Sequence, residues 1–131
     1  MTIPIPLEAY KQMVIGQIKE QREDRLLYDV RAEYPPGSGK MFSCSMSSQI
    51  NWGNLTVLDD RGLVTFPFTV TTYDEHDTYD LVDSADLTGA VGTVSSAVIT
   101  ERNTAQTYIV AVEAATTQAE VDTAAAPYLD L

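Results

Sequence analysis

The sequence predicts an α+β fold in which a small antiparallel sheet of two hairpins packs against a long C-terminal helix and shorter helices. Three observations predict it: apolar residues at helical spacing near both ends, alternating β-forming residues in the middle, and turn-forming clusters between these segments. The length of 131 residues and the 44% share of hydrophobic residues are those of one ordinary globular domain. We therefore expect an extended N-terminal arm at 1–6, a single α+β domain at 7–126 and a C-terminal tail at 127–131.

The first segment is predicted to be an arm that leads into a helix. In Ile3-Pro4-Ile5-Pro6, each residue before a proline is pushed away from helical dihedral angles, so this stretch is extended. Pro6 suits the first position of a helix, and the following residues place an apolar side chain every three or four positions. These side chains belong to Leu7, Tyr10, Val14 and Ile18. We expect the helix to end near Asp24.

A hairpin and a short helix are predicted next. The segments 26–33 and 40–45 flank a cluster rich in proline and glycine, which is typical of a hairpin with a loose loop. Ser45 or Ser47 can cap the short helix, because a serine side chain accepts a hydrogen bond from a free amide of the first turn. A turn at 59–62 ends this helix.

The second hairpin has the clearest strand pattern of the chain. Residues 63–73 alternate between two faces that are rich in β-forming side chains. Pro67 cannot donate to a sheet ladder, so this part of the strand is expected at an edge or a bulge. A polar turn at 74–77 leads to a partner strand that begins at 78 and runs to 81.

A helix of about seven turns is predicted after the second hairpin, with Asp83 or Ser84 as its cap. Gly89 and Gly92 weaken it, but their spacing of three lets a neighbouring element approach one face. Its apolar face is expected to pack on the sheet, and a helix shared in a symmetric oligomer is the alternative. This face consists of Leu87, Val91, Val94, Val98, Arg102, Ala105, Ile109 and Val112.

The chain ends in a predicted short helix and a tail. Thr117 and Glu120 form a capping box, in which each side chain accepts a hydrogen bond from the other's amide. Pro127 is expected to end this helix, because proline disrupts a helix interior.

Charge excludes several classes of partner. Nineteen acidic residues against eight basic ones give a net charge of -11, so neither nucleic acid nor an anionic membrane surface is an expected partner. No apolar run reaches the length that spans a bilayer, and the N-terminus has no secretory signal pattern. Residues 63–131 carry eleven acids against Arg102 alone. This acidic part is interpreted as a solvated face, with a surface for a basic partner as the alternative.

No residue pattern predicts catalysis, a cofactor or a metal site. The cluster at 74–77 holds the only histidine, His76, but it lacks the spacing of a calcium loop and is interpreted as a polar hairpin tip. The serines are in no nucleophile elbow, and Cys44 is expected to be buried as a small apolar residue. The protein is therefore predicted not to be an enzyme.

Apolar residues at both chain ends are the main interface candidates. Side chains on such segments need a surface to lie against, in their own domain or in a neighbouring chain. Trp52 is expected in the core, with a ligand platform as the alternative. The interface candidates are Ile3, Ile5, Trp52, Tyr128, Leu129 and Leu131.

Several segments follow one another in an order that resembles a known family. They are Met41-Phe42-Ser43-Cys44-Ser45, Ser48-Gln49-Ile50-Asn51-Trp52, Thr65-Phe66-Pro67-Phe68 and Ala114-Ala115-Thr116-Thr117-Gln118-Ala119-Glu120-Val121. Over roughly residues 7–125 the chain resembles an uncharacterised domain found in tail and tail-fibre genes of tailed bacteriophages.

The resemblance implies a non-enzymatic structural component of the virion, in the tail, tail fibre or baseplate. Such a component is made in the host cytoplasm, acts through contacts with other tail proteins, and is a homo-oligomer or is present in many copies in a symmetric assembly. An assembly chaperone for tail fibres is one alternative. Another is a carbohydrate-binding receptor module in which Trp52 and Tyr73 stack on sugars.

Overall fold

The structure is a computed structural model that describes residues 4–129. Within these residues it has four helices and two antiparallel sheets of two strands each. In chain order the elements are α1 (Leu7–Tyr28), β1 (Arg31–Glu33), β2 (Met41–Ser43), α2 (Met46–Asp60), β3 (Phe68–Thr71), β4 (Thr78–Leu81), α3 (Ser84–Ala114) and α4 (Gln118–Leu129). The predicted α+β fold is confirmed, although the two hairpins form separate sheets.

The chain divides into two compact units, whereas the sequence predicts a single domain at 7–126. Unit 1 consists of Met1–Arg25 and Glu101–Leu131, and unit 2 consists of Leu26–Thr100. The helices α1 and α3 each contribute residues to both units. Each unit has its own hydrophobic cluster.

The regular secondary structure in the described residues of unit 1 is entirely helical. Parts of α1 and α3 and the whole of α4 share a core of aliphatic and small side chains, which are Val14, Ile15, Ile18, Ala105, Ile109, Val112, Ala115, Val121 and Ala125. Alanines and branched aliphatic side chains fill this core together. On α3 the core face includes Ala105, Ile109 and Val112 as predicted, but Glu101 is buried in place of Arg102.

Buried polar groups in unit 1 have partners. Lys11 is buried and donates from Nζ to the carbonyl oxygen of Glu113, 2.8 Å away, at the end of α3. Glu101 accepts a hydrogen bond from the Tyr128 hydroxyl at 2.8 Å and another from Arg25 Nε. These contacts satisfy charges that would otherwise be costly to bury.

The end of the chain differs from the prediction. Helix α4 continues through Pro127 to Leu129, so a C-terminal tail beginning at 127 is wrong. The proline removes one backbone donor, but the burial of Tyr128 in the core of unit 1 outweighs that loss. Thr117 Oγ1 accepts from the amide of Glu120 as the capping box predicts, whereas the Glu120 carboxylate bonds the amide and the hydroxyl of Thr116. The amide and the hydroxyl of Thr116 both donate to the same oxygen of the Glu120 carboxylate, which directs this carboxylate to Thr116.

Unit 2 contains both hairpins, α2 and the first half of α3. In the first hairpin Ala32 pairs with Phe42, and in the second Val70 pairs with Tyr79. Helix α2 begins after Ser45, whose side chain accepts from the amide of Ser48 at 3.2 Å. This confirms the predicted cap. The core of unit 2 combines aliphatic side chains with two aromatic rings, those of Phe42 and Trp52, which meet edge to face with 5.9 Å between the ring centroids.

Several element bounds differ from the sequence prediction. Strand β1 covers only Arg31–Glu33 of the predicted 26–33, β2 covers only Met41–Ser43 of 40–45, and β3 ends at Thr71 instead of residue 73. Helix α1 extends past Asp24 to Tyr28, because Leu26 is buried in the core of unit 2 and holds the last turn in place. Strand β3 begins at Phe68 instead of Leu63. Its partner β4 ends at Leu81 opposite Phe68, so the residues before Phe68 have no strand to pair with.

Candidate binding cleft

Unit 2 has an open cleft of about 500 Å³ between α2, β2 and β3. Its apolar lining consists of Phe42, Trp52, Leu55, Leu58, Phe68 and Val70. Hydroxyl and amide groups at its rim come from Ser43, Ser48, Asn51 and Asn54, and a carboxylate comes from Glu75. Pockets of this volume with an apolar lining and few polar groups are typical binding sites.

Helical spacing explains how α2 contributes to the cleft. Asn51, Leu55 and Leu58 are four and three residues apart, so they lie on one face of the helix. Trp52 flanks this face and reaches into the core of unit 2, where 9% of its surface is exposed. Leu58 is 42% exposed, so the cleft offers an apolar surface to a partner.

The backbone edges of β2 and β3 meet at one end of the cleft. The amide of Tyr73, just after β3, donates to the carbonyl oxygen of Met41 in β2 at 2.8 Å. The two strands belong to separate sheets, and both Ser43 and Thr71 line the cleft. The cleft is thus bordered on two sides by strand backbone.

Carboxylates lie at the end of the cleft where Tyr73 is located. Glu75 lines the cleft, while Asp74 and Asp77 line an adjacent cavity of about 360 Å³. A hydrogen bond from the Thr72 hydroxyl lowers the pKa of Asp74, and one from Lys40 lowers the pKa of Asp77. Both side chains therefore remain negatively charged to lower pH than ordinary aspartates.

The structure brings together two of the residues that the sequence suggested as ligand platforms. Trp52 and Tyr73 line the same cleft, although Trp52 is mostly buried and the Arg31 guanidinium lies 3.3 Å from the centre of the Tyr73 ring. Phe42, Leu58 and Phe68 were missed as cleft residues. The signal that could have found part of this surface is the stretch 41–58, which contains no charged residue in a chain that is 21% charged.

The interface candidates at the chain ends have different surroundings. Ile5 is 48% exposed, and its carbonyl oxygen accepts a hydrogen bond from Gln118 Nε2 at 2.8 Å. Tyr128 is only 4% exposed and belongs to the core of unit 1, so it is placed inside the protein and not at an interface. Leu129 is half-buried against the same core. Ile3 and Leu131 lie outside the described residues.

Chemically, the lining is that of a binding surface. His76 is not among the residues that line the cleft, and burial raises the pKa of the Cys44 thiol, which keeps it protonated and unreactive. Across residues 4–129, no three His, Cys, Asp or Glu side chains are placed so that they could hold a metal ion. None of the helices in this part of the chain has the length and apolar character needed to span a bilayer.

No family model, curated protein or solved structure matches this chain. The geometry of the cleft is therefore the structural observation from which a function can be proposed.

Proposed function

We propose that this protein is a non-enzymatic structural component of a tailed-phage virion, in the tail, tail fibre or baseplate. It acts through protein–protein contacts, and the cleft of unit 2 is its main binding surface. Its partners are other tail proteins, which it meets after synthesis in the host cytoplasm and holds in the virion.

The uneven distribution of exposed apolar side chains carries this proposal. Residues 4–129 include fifteen large hydrophobic residues with exposed side chains, and only Ile5, Met13 and Val110 of these belong to unit 1. The other twelve are in unit 2, and three of them, Leu58, Phe68 and Tyr73, line the cleft. Exposed apolar side chains that share one cleft are typical of a site that another protein covers.

A virion also explains how so small a surface can suffice. A single cleft of this size buries less area than a standard stable interface, so one contact alone is weak. Many copies in a symmetric ring or fibre bind together, and their combined affinity greatly exceeds that of one contact. We therefore propose a homo-oligomer or a multi-copy arrangement.

Two variants of adjacent residues on α2 test the role of the cleft. Leu58 lines the cleft, whereas Val57 is 48% exposed and is not among the lining residues. Leu58→Lys should greatly reduce the amount of protein that mass spectrometry finds in purified virions, and Val57→Lys should leave it unchanged. Thermal unfolding of both purified variants checks that they fold.

Two results would contradict the proposal. If the wild-type protein is present in infected cells but absent from purified virions, it is an assembly chaperone. If Leu58→Lys enters virions as well as Val57→Lys does, the cleft is not the binding surface.

Carbohydrate binding is a second candidate, which the shared position of Trp52 and Tyr73 favours. Aromatic rings and nearby amide groups, here those of Asn51 and Asn54, are suited to a sugar ring and its hydroxyls. Tyr73→Ala should then abolish binding to a glycan array without changing the unfolding temperature. Trp52→Phe is the appropriate second variant, because Trp52 is part of the core. An array without any specific signal rules this candidate out.

A further inference from the structure

We infer that the cleft of unit 2 binds an extended peptide strand of a partner protein, which pairs with the backbone edge of β3. This inference rests on the proposed function, since it names the kind of partner that the same cleft accepts. It goes further by assigning the main part of the binding to backbone hydrogen bonds instead of side-chain contacts.

The alternation of hydrogen bonds along β3 shows which of its backbone groups point toward the cleft. In an antiparallel pair, successive residues alternate between bonding the partner strand and pointing away from it. The amide of Thr72 donates to the carbonyl oxygen of Asp77 in the turn that follows β3. The backbone amide and carbonyl groups of Val70 and Phe68 therefore also point toward β4. Thr69 and Thr71 therefore direct their amide and carbonyl groups to the opposite edge.

That opposite edge faces the first hairpin. Tyr73 is two residues after Thr71, so its amide points to the same side, and it donates to the carbonyl oxygen of Met41 in β2. In the first hairpin the Tyr34 amide donates to the Lys40 carbonyl oxygen, so Lys40 and Phe42 are the residues whose backbone groups bond β1. The backbone groups of Ser43 therefore point away from β1, toward the edge of β3. Two strand edges thus border a cleft in which a third strand can form hydrogen bonds.

Side-chain positions in the cleft fit a bound strand. Successive side chains of a strand point to opposite faces, so every second residue of the peptide contacts the apolar lining. Phe68 and Val70, two residues apart on β3, provide this lining beside the paired edge. The partner segment should therefore have apolar residues at alternate positions.

Charge specifies one end of the partner strand. Among the described residues that line the cleft, Glu75 alone has a charged side chain, and it lies beyond Tyr73. Asp74 and Asp77 are close to this end, as are two cations: Arg31 lies over the Tyr73 ring, and Lys40 pairs with Asp77 at 3.1 Å. Glu75 is therefore the carboxylate that a bound peptide can meet. Unit 2 as a whole has three Lys and Arg residues against ten Asp and Glu residues, which gives a net charge of -7. A lysine or arginine at the end of the peptide beside Glu75 complements this charge. Main-chain pairing supplies affinity and these side chains supply specificity.

The test uses the full chain and a pool of synthetic hexapeptides. Val, Ile, Leu or Phe occupies alternate positions of each peptide, and Thr, Ser, Lys or Glu occupies the others. We expect the immobilised protein to enrich peptides with a terminal Lys over those with a terminal Glu. N-methylation of the peptide amides on the pairing side should lower the affinity of an enriched peptide about tenfold, because each lost hydrogen bond weakens binding.

A proline substitution on each edge of the second hairpin provides a matched pair of variants. Thr71→Pro removes an amide that points to the cleft, and Asp80→Pro removes one that points away on β4, so neither change breaks a ladder bond. Asp80→Pro also removes the carboxylate that accepts a hydrogen bond from the Thr69 hydroxyl, but it leaves the Thr69 and Thr71 amides in place. The peptide should lose about tenfold in affinity for Thr71→Pro and none for Asp80→Pro. Amide hydrogen exchange at Thr69 should slow when the peptide binds to the wild-type protein.

The outcomes separate the two proposals. Failure to enrich any peptide, or equal binding of N-methylated peptides, overturns the strand-pairing inference even if the protein is found in virions. If the peptides bind as expected but the protein is absent from virions, the proposed function is overturned and the strand-pairing inference stands.

Discussion

The two units use their apolar residues in opposite ways. Unit 1 buries valine, isoleucine and alanine side chains between helices and leaves few of its large apolar groups exposed. Unit 2 builds its core from aliphatic side chains and the rings of Phe42 and Trp52, and it keeps twelve large apolar side chains exposed. Two strands per sheet are too few to cover both faces of a core, so the hairpins leave an open cleft. Unit 1 thus exposes fewer large apolar side chains than unit 2, and unit 2 has the cleft that we propose as the binding surface.

The largest expected effect comes from Trp52→Ala, which removes a ring that belongs to the core of unit 2. Trp52 is 9% exposed and packs edge to face on Phe42, so its loss should cost about 3–5 kcal/mol. Chemical denaturation measures the total cost, and hydrogen exchange shows where protection is lost. We expect the loss to be concentrated within Leu26–Thr100, where the ring packs.

Trp52→Phe is the matched control for that variant, because it keeps an aromatic ring opposite Phe42. It should cost clearly less than Trp52→Ala. Equal loss of protection in both units after Trp52→Ala would mean that the two cores unfold as one, and the contrast between them would not extend to stability.

Two glycines of α3 should respond to alanine in opposite directions. A Cβ atom at Gly89 would lie 2.6 Å from the Tyr34 hydroxyl oxygen, whereas one at Gly92 meets nothing within 4 Å. Gly89→Ala must displace a ring that Asp86 holds by a hydrogen bond, so it should destabilise the protein by about 2 kcal/mol. Gly92→Ala should stabilise it by up to about 1 kcal/mol through helix propensity. Equal shifts of the denaturation midpoint would refute the close approach of Tyr34.

Lys11→Ala tests whether the polar contacts inside unit 1 contribute to its stability. The Lys11 ammonium donates to the carbonyl oxygen of Glu113 at the end of α3, and its side chain is buried. Its removal should cost about 1–2 kcal/mol. Lys19 is on the same helix but exposed, so Lys19→Ala should change the free energy of unfolding by less than about 0.5 kcal/mol. Similar values for the two variants would show that the contact contributes nothing.

The smallest effect is expected from Tyr34→Phe, and it depends on pH. The hydrogen bond to Asp86, followed by burial, raises the pKa of Tyr34 from 10.0 to about 12. A raised folded pKa means that this contribution to stability is complete below pH 10 and is lost as the pH rises through about 12. Below pH 10, Tyr34→Phe should lower the free energy of unfolding by only about 1 kcal/mol, because Asp86 keeps its hydrogen bonds from the Tyr79 hydroxyl and the Val82 amide.

Thermal unfolding followed from neutral pH to pH 12 checks this prediction in both units. The pKa of Tyr128 in unit 1 is also raised, first by burial and then by its hydrogen bond to Glu101. The wild-type protein should therefore lose stability in alkali, and Tyr34→Phe should lose less of it. An identical alkaline loss in the wild type and the variant would show that Tyr34 is not the group that titrates.

Much of the local structure could be predicted because its causes are local. The Ser45 cap, the turn at 74–77 and the strand from Thr78 to Leu81 follow from hydrogen-bonding side chains and alternation within a few residues. Most of the buried face of α3 follows from its helical spacing, although Glu101 is buried in place of Arg102. By contrast, Pro127 predicts a helix end locally, and only the burial of Tyr128 explains why α4 continues.

The cleft could be predicted only in part. Trp52 and Tyr73 are conspicuous in the sequence, but nothing in their local patterns places them in one cleft. Their meeting depends on the bond between Tyr73 and Met41, which lie 32 positions apart in the sequence. Chain-end residues such as Tyr128 are predicted to be interface candidates, because the sequence around a residue does not show which distant side chains pack against it.

Amino-acid order by itself determined the α+β fold, the caps, the turns and the acidic character, since each depends on neighbours along the chain or on composition. Only the tertiary structure decided that the chain forms two compact units, that Tyr128 is a core residue, and that two hairpins border an open cleft. The physical reason is that burial and strand pairing join residues distant in sequence, and their free energy depends on which surfaces meet.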